Sequence, residues 1–175
     1  MLKIKKFNNT DKQFSELSRI DNLINHDSIS HPEDDKREWQ IRDKSLIRDR
    51  LLLYKNKLLI GVMYYSQGRD QNKRTTFFTL NIDPTYNTKQ NQELLYNKML
   101  EQIKLFKSNR ILTSIYKHPN YDKLKKFLID NQFKVVQTNR EYICDITKID
   151  LRMHQPLIKK LELEGVRFYD SKEDM

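Results

Sequence analysis

The run of residues 75–106, TTFFTLNIDPTYNTKQNQELLYNKMLEQIKLF, holds the residues best placed to do chemistry. Its centre is a polar loop, Asn87, Thr88, Lys89, Gln90, Asn91 and Gln92, lying ahead of an apolar-periodic segment. A loop that feeds a strand into a helix N-terminus leaves backbone N–H groups pointing outward, and such groups attract phosphate. Lys89 adds a point charge suited to the same ligand.

Two elements must hold that loop. Residues 75–80 are β-branched and aromatic, which suits a pleated strand. Pro84 cannot donate to a ladder, so the strand is expected to end near Asp83. Leu95, Met99, Ile103 and Phe106 then recur at helical spacing, with Lys98, Glu101 and Gln102 between them.

The rest of the chain reads as strands and helices around this unit. Residues 2–7 read as an opening strand and 11–25 as a helix capped by Thr10 or Asp11. Phe14, Leu17, Ile20, Leu23 and Ile24 form its expected buried stripe. Pro32 breaks the chain ahead of a short charged helix over 33–42 that carries Trp39. Residues 51–65 read as two strands around Lys55-Asn56-Lys57. Residues 111–116 read as a further strand, 121–133 as a helix burying Leu124, Phe127 and Leu128, and 134–137 and 141–146 as closing strands. Residues 150–164 read as a linker and amphipathic helix with Leu157, Ile158 and Leu161 inside. Gly165 is its C′ residue, and 166–169 a last strand.

The strand–Pro turn–helix unit resembles the acetyl-CoA loop of the GNAT acetyltransferases. That pattern runs hydrophobic-x-Pro-x-Tyr-Arg-Gly-x-Gly-x-Gly/Ala into a Leu-rich helix. Ile82, Pro84, Tyr86 and the helix match. Asn87 stands at the arginine, and Thr88, Gln90 and Gln92 stand at the glycines. The later order of strand, helix and strands also follows the family. The resemblance implies an α+β fold over residues 1–150, a twisted mixed central sheet flanked by helices. It implies acetyl-CoA as co-substrate, with its pyrophosphate on residues 87–92, and a small-molecule or peptide amine as acceptor.

The same resemblance assigns further roles. The strand backbone at Leu80 and Ile82 is the expected oxyanion donor. The family's base position, often Glu, is Thr79, and the position of its usual acid, Tyr, is Leu128; neither side chain does that work. Tyr121 and Tyr116 are the hydroxyls left for the acid, with ordinary aromatic packing as the other reading of each. The acceptor pocket is expected near residues 25–50, walled by His31, Trp39 and Tyr64; Trp39 reads equally as core. Two functions stay open: an active N-acyltransferase, or a catalytically degenerate domain of this fold that serves as an interaction module. Glu164-Gly165-Val166 resembles the junction that leads from the first half of tandem GNAT proteins into a second. Residues 151–175 are thus an extension whose strand packs on its own domain, a dimer mate or a partner domain.

Composition sets the outer limits. The chain has 175 residues, of which 37% are hydrophobic and 33% charged, enough for a sizeable core. No apolar run approaches the ~18–20 residues that span a bilayer, and the apolar part of residues 1–7 is too short for a signal peptide. The cytoplasm is the expected compartment. The lone Cys144 reads as a buried thiol in a strand. The net charge of +9 is dispersed, which describes a solvated surface, and nucleic acid is not an expected partner. His26 and His31, with Asp27, Glu33 and Asp34, lie on a polar connection, so no metal site is expected.

Overall fold

The computed structural model describes residues 1–25, 29–67, 75–105, 107–115 and 121–138, with Pro156, Lys159, Lys160, Leu163 and Glu164. The chain divides into two compact units, Met1–Lys134 and Val135–Met175.

In the first unit the elements run β1 (Leu2–Lys6), α1 (Asp11–Ile24), α2 (Pro32–Ile41), β2 (Arg48–Lys55) and β3 (Leu58–Gln67). They continue with β4 (Thr75–Ile82), a short 3-10 turn (Pro84–Tyr86), α3 (Lys89–Lys104), β5 (Arg110–Thr113) and α4 (Asp122–Asp130). The sheet order is β1-β2-β3-β4-β5. The first three pairings are antiparallel and β4–β5 is parallel. A parallel pair needs a crossover, and α3 supplies it. This is the mixed α+β sheet expected from the resemblance.

Local chemistry explains the boundaries. Thr10 caps α1 in a capping box with Gln13, which satisfies two backbone donors reciprocally. Phe14, Leu17, Ile20 and Ile24 are buried as expected, but Leu23 is 39% exposed. At 3.6 residues per turn Leu23 falls about 120° from Leu17, off the stripe. Pro32 opens α2, with Glu33, Asp34 and Asp35 in its first turn, where acidic groups meet the positive end of the helix dipole. Asn56 turns the β2–β3 hairpin at φ 58°, a conformation that Asn tolerates.

The register defines the sheet's two faces. Arg50, Tyr64 and Thr79 stand directly opposite one another across β2, β3 and β4, so they share a face, and α1 packs on it through contacts with β3 and β4. Gly61, Phe78, Leu80 and Ile82 face α3. A Cβ on Gly61 would lie 3.1 Å from Ile82 Cγ1 and 3.3 Å from Leu95 Cδ1, so this glycine lets α3 close on the sheet. Phe78, Tyr96, Phe127 and Phe133 continue that core as an edge-packed aromatic cluster.

The other face encloses a charge. Arg50 is buried, and its guanidinium grips the Asp35 carboxylate at 2.7 and 2.6 Å. It lies 4.8 Å from the Phe7 ring centroid, 4.7 Å from Trp39 and 5.2 Å from Tyr64. Its Nε–H has no acceptor among the described residues; the aromatic faces take the place of one.

Residues 134–137, expected as a strand, are not one. A strand needs a ladder, and the expected partner at 141–146, with Cys144, lies outside the described residues. So do Phe106, Tyr116, His118, Leu157, Ile158, Leu161, Gly165 and residues 166–169. In the second unit Lys160 and Glu164 form an i,i+4 ion pair at 3.9 Å. Among the described residues no helix is long and apolar enough to cross a membrane.

Removing one partner of a buried ion pair strands the other charge. Asp35→Ala is therefore expected to destabilise the fold by about 3 kcal/mol, the lower end for such pairs because Asp35 keeps some exposure. Urea denaturation of both proteins measures it; a loss below about 1 kcal/mol would show that the Arg50 charge is solvated.

Candidate functional site

The site begins where β5 ends. β3 accompanies β4 as far as Ile82, but β5 pairs only Thr75 to Phe78. From Thr79 to Ile82 one edge of β4 has no strand beside it among the described residues. The backbone of Leu80 and Ile82 lies on that segment, and both side chains are buried toward α3.

The β4–α3 loop is pinned at its start. The register shift between Leu53 and Tyr54 leaves Ile60 unpaired in β3, and its carbonyl accepts the Asp83 N–H at 2.9 Å. Arg19 of α1 donates to the Leu59 carbonyl and reaches the Asp83 carboxylate at 3.3 Å. Asp83 in turn accepts the Thr85 N–H at 3.0 Å. A β-bulge, an arginine and an aspartate thus fix the take-off of the turn.

Beyond it the loop satisfies itself with side chains. Asn91 donates to the Tyr86 carbonyl at 2.7 Å, and Gln92 to Asn87 Oδ1 at 2.8 Å. Thr88 caps α3 by accepting the Asn91 N–H. The backbone N–H groups of Tyr86, Asn87, Thr88 and Gln92 all bond within the loop. The N–H groups of Lys89 and Gln90 find no acceptor among the described residues, as the first turn of a helix dictates. No residue of the loop adopts a positive φ, so its backbone makes no demand for glycine. Lys89 is exposed, 3.8 Å from Glu93, and Lys55 sits 4.9 Å over the Tyr86 ring.

The sheet face toward α1 carries a polar cluster. Asp21 of α1 accepts the Asn81 amide at 2.7 Å and the Tyr64 hydroxyl at 2.9 Å. Asn81 belongs to the β4 segment that outruns β5. One turn along α1 from Asp21, Asn25 accepts the Tyr121 hydroxyl at 2.5 Å. Tyr121 is buried at the start of α4. Residues four apart are neighbours on a helix surface, so Asp21 and Tyr121 reach the same end of α1.

The remaining sequence candidates scatter. Tyr64 is half-buried and lines a cleft of about 520 Å³ with Thr79, Phe77, Ser66, Gln67 and Arg48. Trp39 is buried, edge-on to Phe7 at 5.0 Å, with Arg42 stacked 3.8 Å from its ring. His31 is exposed at the start of α2 and makes no capping bond. His26 and Asp27 lie outside the described residues, and among those described no three His, Cys, Asp or Glu side chains converge as metal ligands. Sequence reasoning passed over Asp21, Asn81, Arg19 and Asp83. A signal for Asp21 was present: it falls about 40° from Leu17, inside the apolar stripe.

Burial pushes the Asp21 carboxyl above the ordinary aspartate range. The hydrogen bonds from Asn81 and Tyr64 and the Arg50 charge pull it down, and Asp35 pushes it up. The Tyr64 hydroxyl is driven well up, first by burial and then by the Asp21 charge. A raised folded-state value means that the native protein holds the Asp21 proton more tightly than the unfolded chain. That contribution is full below the unfolded aspartate value and is lost as pH rises through the folded one. Asp21→Asn abolishes it, so the variant should gain stability relative to wild type as pH rises through that window. Urea denaturation across a pH series tests this; a constant difference would show that Asp21 keeps its ordinary value.

No family model and no curated protein matches the sequence. Solved structures do. An N-acetyltransferase from Staphylococcus aureus is 14% identical, covers 83% of this chain and 92% of its own, and gives a TM-score of 0.65. An aminoglycoside acetyltransferase from an uncultured soil metagenomic sample, in complex with sisomicin, is 11% identical, covers 82% and 97%, and gives 0.64. AAC(6')-Iy, in complex with the bisubstrate analogue CoA-S-monomethyl-acetylneamine, is 12% identical, covers 83% and 99%, and gives 0.61. The fold of this chain is that of the GNAT N-acetyltransferases.

Proposed function

We propose that this chain transfers an acetyl group from acetyl-CoA to a primary amine, carried by a small molecule or a peptide. The observation that carries the reading is the opening beside β4. The strand outruns β5 over Thr79 to Ile82 and leads directly into a helix N-terminus where the Lys89 and Gln90 N–H groups lack acceptors. A thioester laid along that edge has its pyrophosphate at residues 87–92, held by those two donors and by Lys89.

The chemistry then follows. The amine attacks the thioester carbonyl, and the charge that develops on its oxygen needs a donor aimed at it. A backbone N–H of the β4 segment at Leu80 or Ile82 takes that role. The departing thiolate takes up a proton, and Tyr121, whose hydroxyl is bonded to Asn25 at this end of α1, is the group assigned to supply it. Holding the two reactants together in one geometry lowers the barrier by up to about 7–11 kcal/mol. Tyr64 lines the wall on the acceptor side; Trp39 and His31 are not among the residues that line this cleft. The bisubstrate analogue and the sisomicin bound by two of the neighbours support the pairing of a CoA thioester with an amine.

Titration calorimetry with acetyl-CoA, and with coenzyme A as comparison, tests the reading. Micromolar affinity is expected; no heat at millimolar ligand would sink it and leave the degenerate interaction domain. Lys89→Glu turns an attraction beside the pyrophosphate into a repulsion and should weaken binding about thirtyfold, since a unit pair at 4 Å in water is worth about 1 kcal/mol and the reversal spans about 2 kcal/mol. Unchanged affinity would place the phosphates elsewhere.

A further inference from the structure

Thr79 at the family's base position carries a hydroxyl that cannot take up a proton at neutral pH, so the reaction proposed above lacks a base on β4. The geometry points to Asp21 of α1 as the carboxylate that receives the acceptor's ammonium and takes its proton, with Tyr64 and Asn81 as the residues that hold it. This assignment rests on the acetyltransferase reading.

Three observations carry it. Asp21 has no cationic partner among the described residues: the buried guanidinium nearest to it in the fold, Arg50, is gripped at both ends by Asp35. A sheet-facing carboxylate with no counter-charge is costly to bury, and an incoming ammonium would supply the missing charge. The two hydrogen bonds that orient it come from β3 and β4, and the β4 donor, Asn81, lies on the segment that outruns β5. The hydroxyl partner, Tyr64, stands opposite Thr79 in the sheet and lines the adjoining cleft. The carboxylate therefore sits one side chain away from the position where the family's base would stand. Asp21 retains some exposure, and each of its oxygens accepts one hydrogen bond, from Tyr64 or from Asn81, which leaves lone pairs for a ligand. The groups facing it are Tyr64 from β3, Asn81 from β4, Asp35 from α2 and Arg50 from β2; burial raises its proton affinity above that of an ordinary aspartate, Asp35 adds to the rise, and Asn81, Tyr64 and Arg50 oppose it.

The step balances simply. The ammonium gives one proton to Asp21, and the freed lone pair forms the N–C bond. The C–S bond breaks with its electron pair on sulfur. The second nitrogen proton is lost as the thiolate is protonated, and Asp21 returns its proton to solvent. One acetyl-CoA and one ammonium yield one amide, one thiol and one proton.

The test uses n-butylamine as the acceptor probe, with thiol release followed across pH and acetyl-CoA affinity measured on the same preparations. Asp21→Asn should bind acetyl-CoA within about twofold of wild type and lose amine-dependent release by about 100-fold, within the usual range for a general base. Tyr64→Phe removes a hydrogen bond that lowers the Asp21 value, so the acidic limb of the wild-type profile should move to higher pH. That shift is one that a purely structural role would not produce, and it stands even if Asp21→Asn folds poorly. Full activity in Asp21→Asn, an unmoved limb in Tyr64→Phe, or a wild type that binds acetyl-CoA but releases no thiol with the amine would each overturn the assignment. A wild type that binds no acetyl-CoA would instead overturn the acetyltransferase reading beneath it.

Discussion

Strand β4 has β3 beside it from Thr76 to Ile82 but β5 only from Thr75 to Phe78. The inequality comes from the length of β5, four residues against eight in β4. A strand edge left open is ordinarily a liability, because unpaired N–H and C=O groups invite another chain. Here the open stretch lies between α1 on one face and α3 on the other, and it runs directly into the loop ahead of α3. The bulge at Ile60, the Arg19–Asp83 pair and the side-chain bonds of residues 87–92 all serve to fix what happens at its end. The polar cluster of Asp21, Asn81 and Tyr64 borders the same stretch from the α1 side.

The sheet can carry such an opening because the rest of the face is firmly closed. Arg50 is a buried cation inside a ring of Phe7, Trp39 and Tyr64, paired with Asp35 of α2. The fork ties α2 to β2 across fifteen residues of chain, and it does so by direction as well as by charge, since a bidentate guanidinium fixes an angle that an ammonium would not. It also engages Arg50, so that among the described residues Asp21 forms no ion pair of its own. Stability of the face and the chemistry proposed at its edge are in this sense two outcomes of a single choice of partner.

Much of the architecture was legible in the sequence because apolar spacing and punctuation carry it. Phe14, Leu17, Ile20 and Ile24 mark α1; Leu95, Met99 and Ile103 mark α3; Pro84 marks the end of β4; Thr10 marks a cap. The opening beside β4 was not legible, since how far two strands stay paired is a property of the sheet and no residue pattern announces it. Arg50 reads in sequence as one more exposed charge, and Asp21 as noise in an apolar stripe; each acquires meaning only from what faces it. Residues 134–137 were read as a strand from Val135 and Val136, but β-branched residues favour a strand only where a partner offers a ladder. The loop was legible as polar and glycine-free, whereas its internal hydrogen bonds depend on Asn87 and Gln92, and Tyr86 and Asn91, meeting in space.

The glycine-free loop has one more consequence, and it concerns the unfolded chain. Glycine adds backbone freedom to a denatured segment that must be surrendered on ordering, and residues with a Cβ carry less of it. Thr88, Lys89, Gln90, Asn91 and Gln92 thus enter the fold with a smaller entropic debt than a glycine-rich loop would. The structure holds them with three side-chain bonds besides. An anion docking there as proposed would meet a braced rim rather than one that wraps around it. Recognition at such a rim depends on fit to a fixed outline, and the loop trades adaptability for preorganisation.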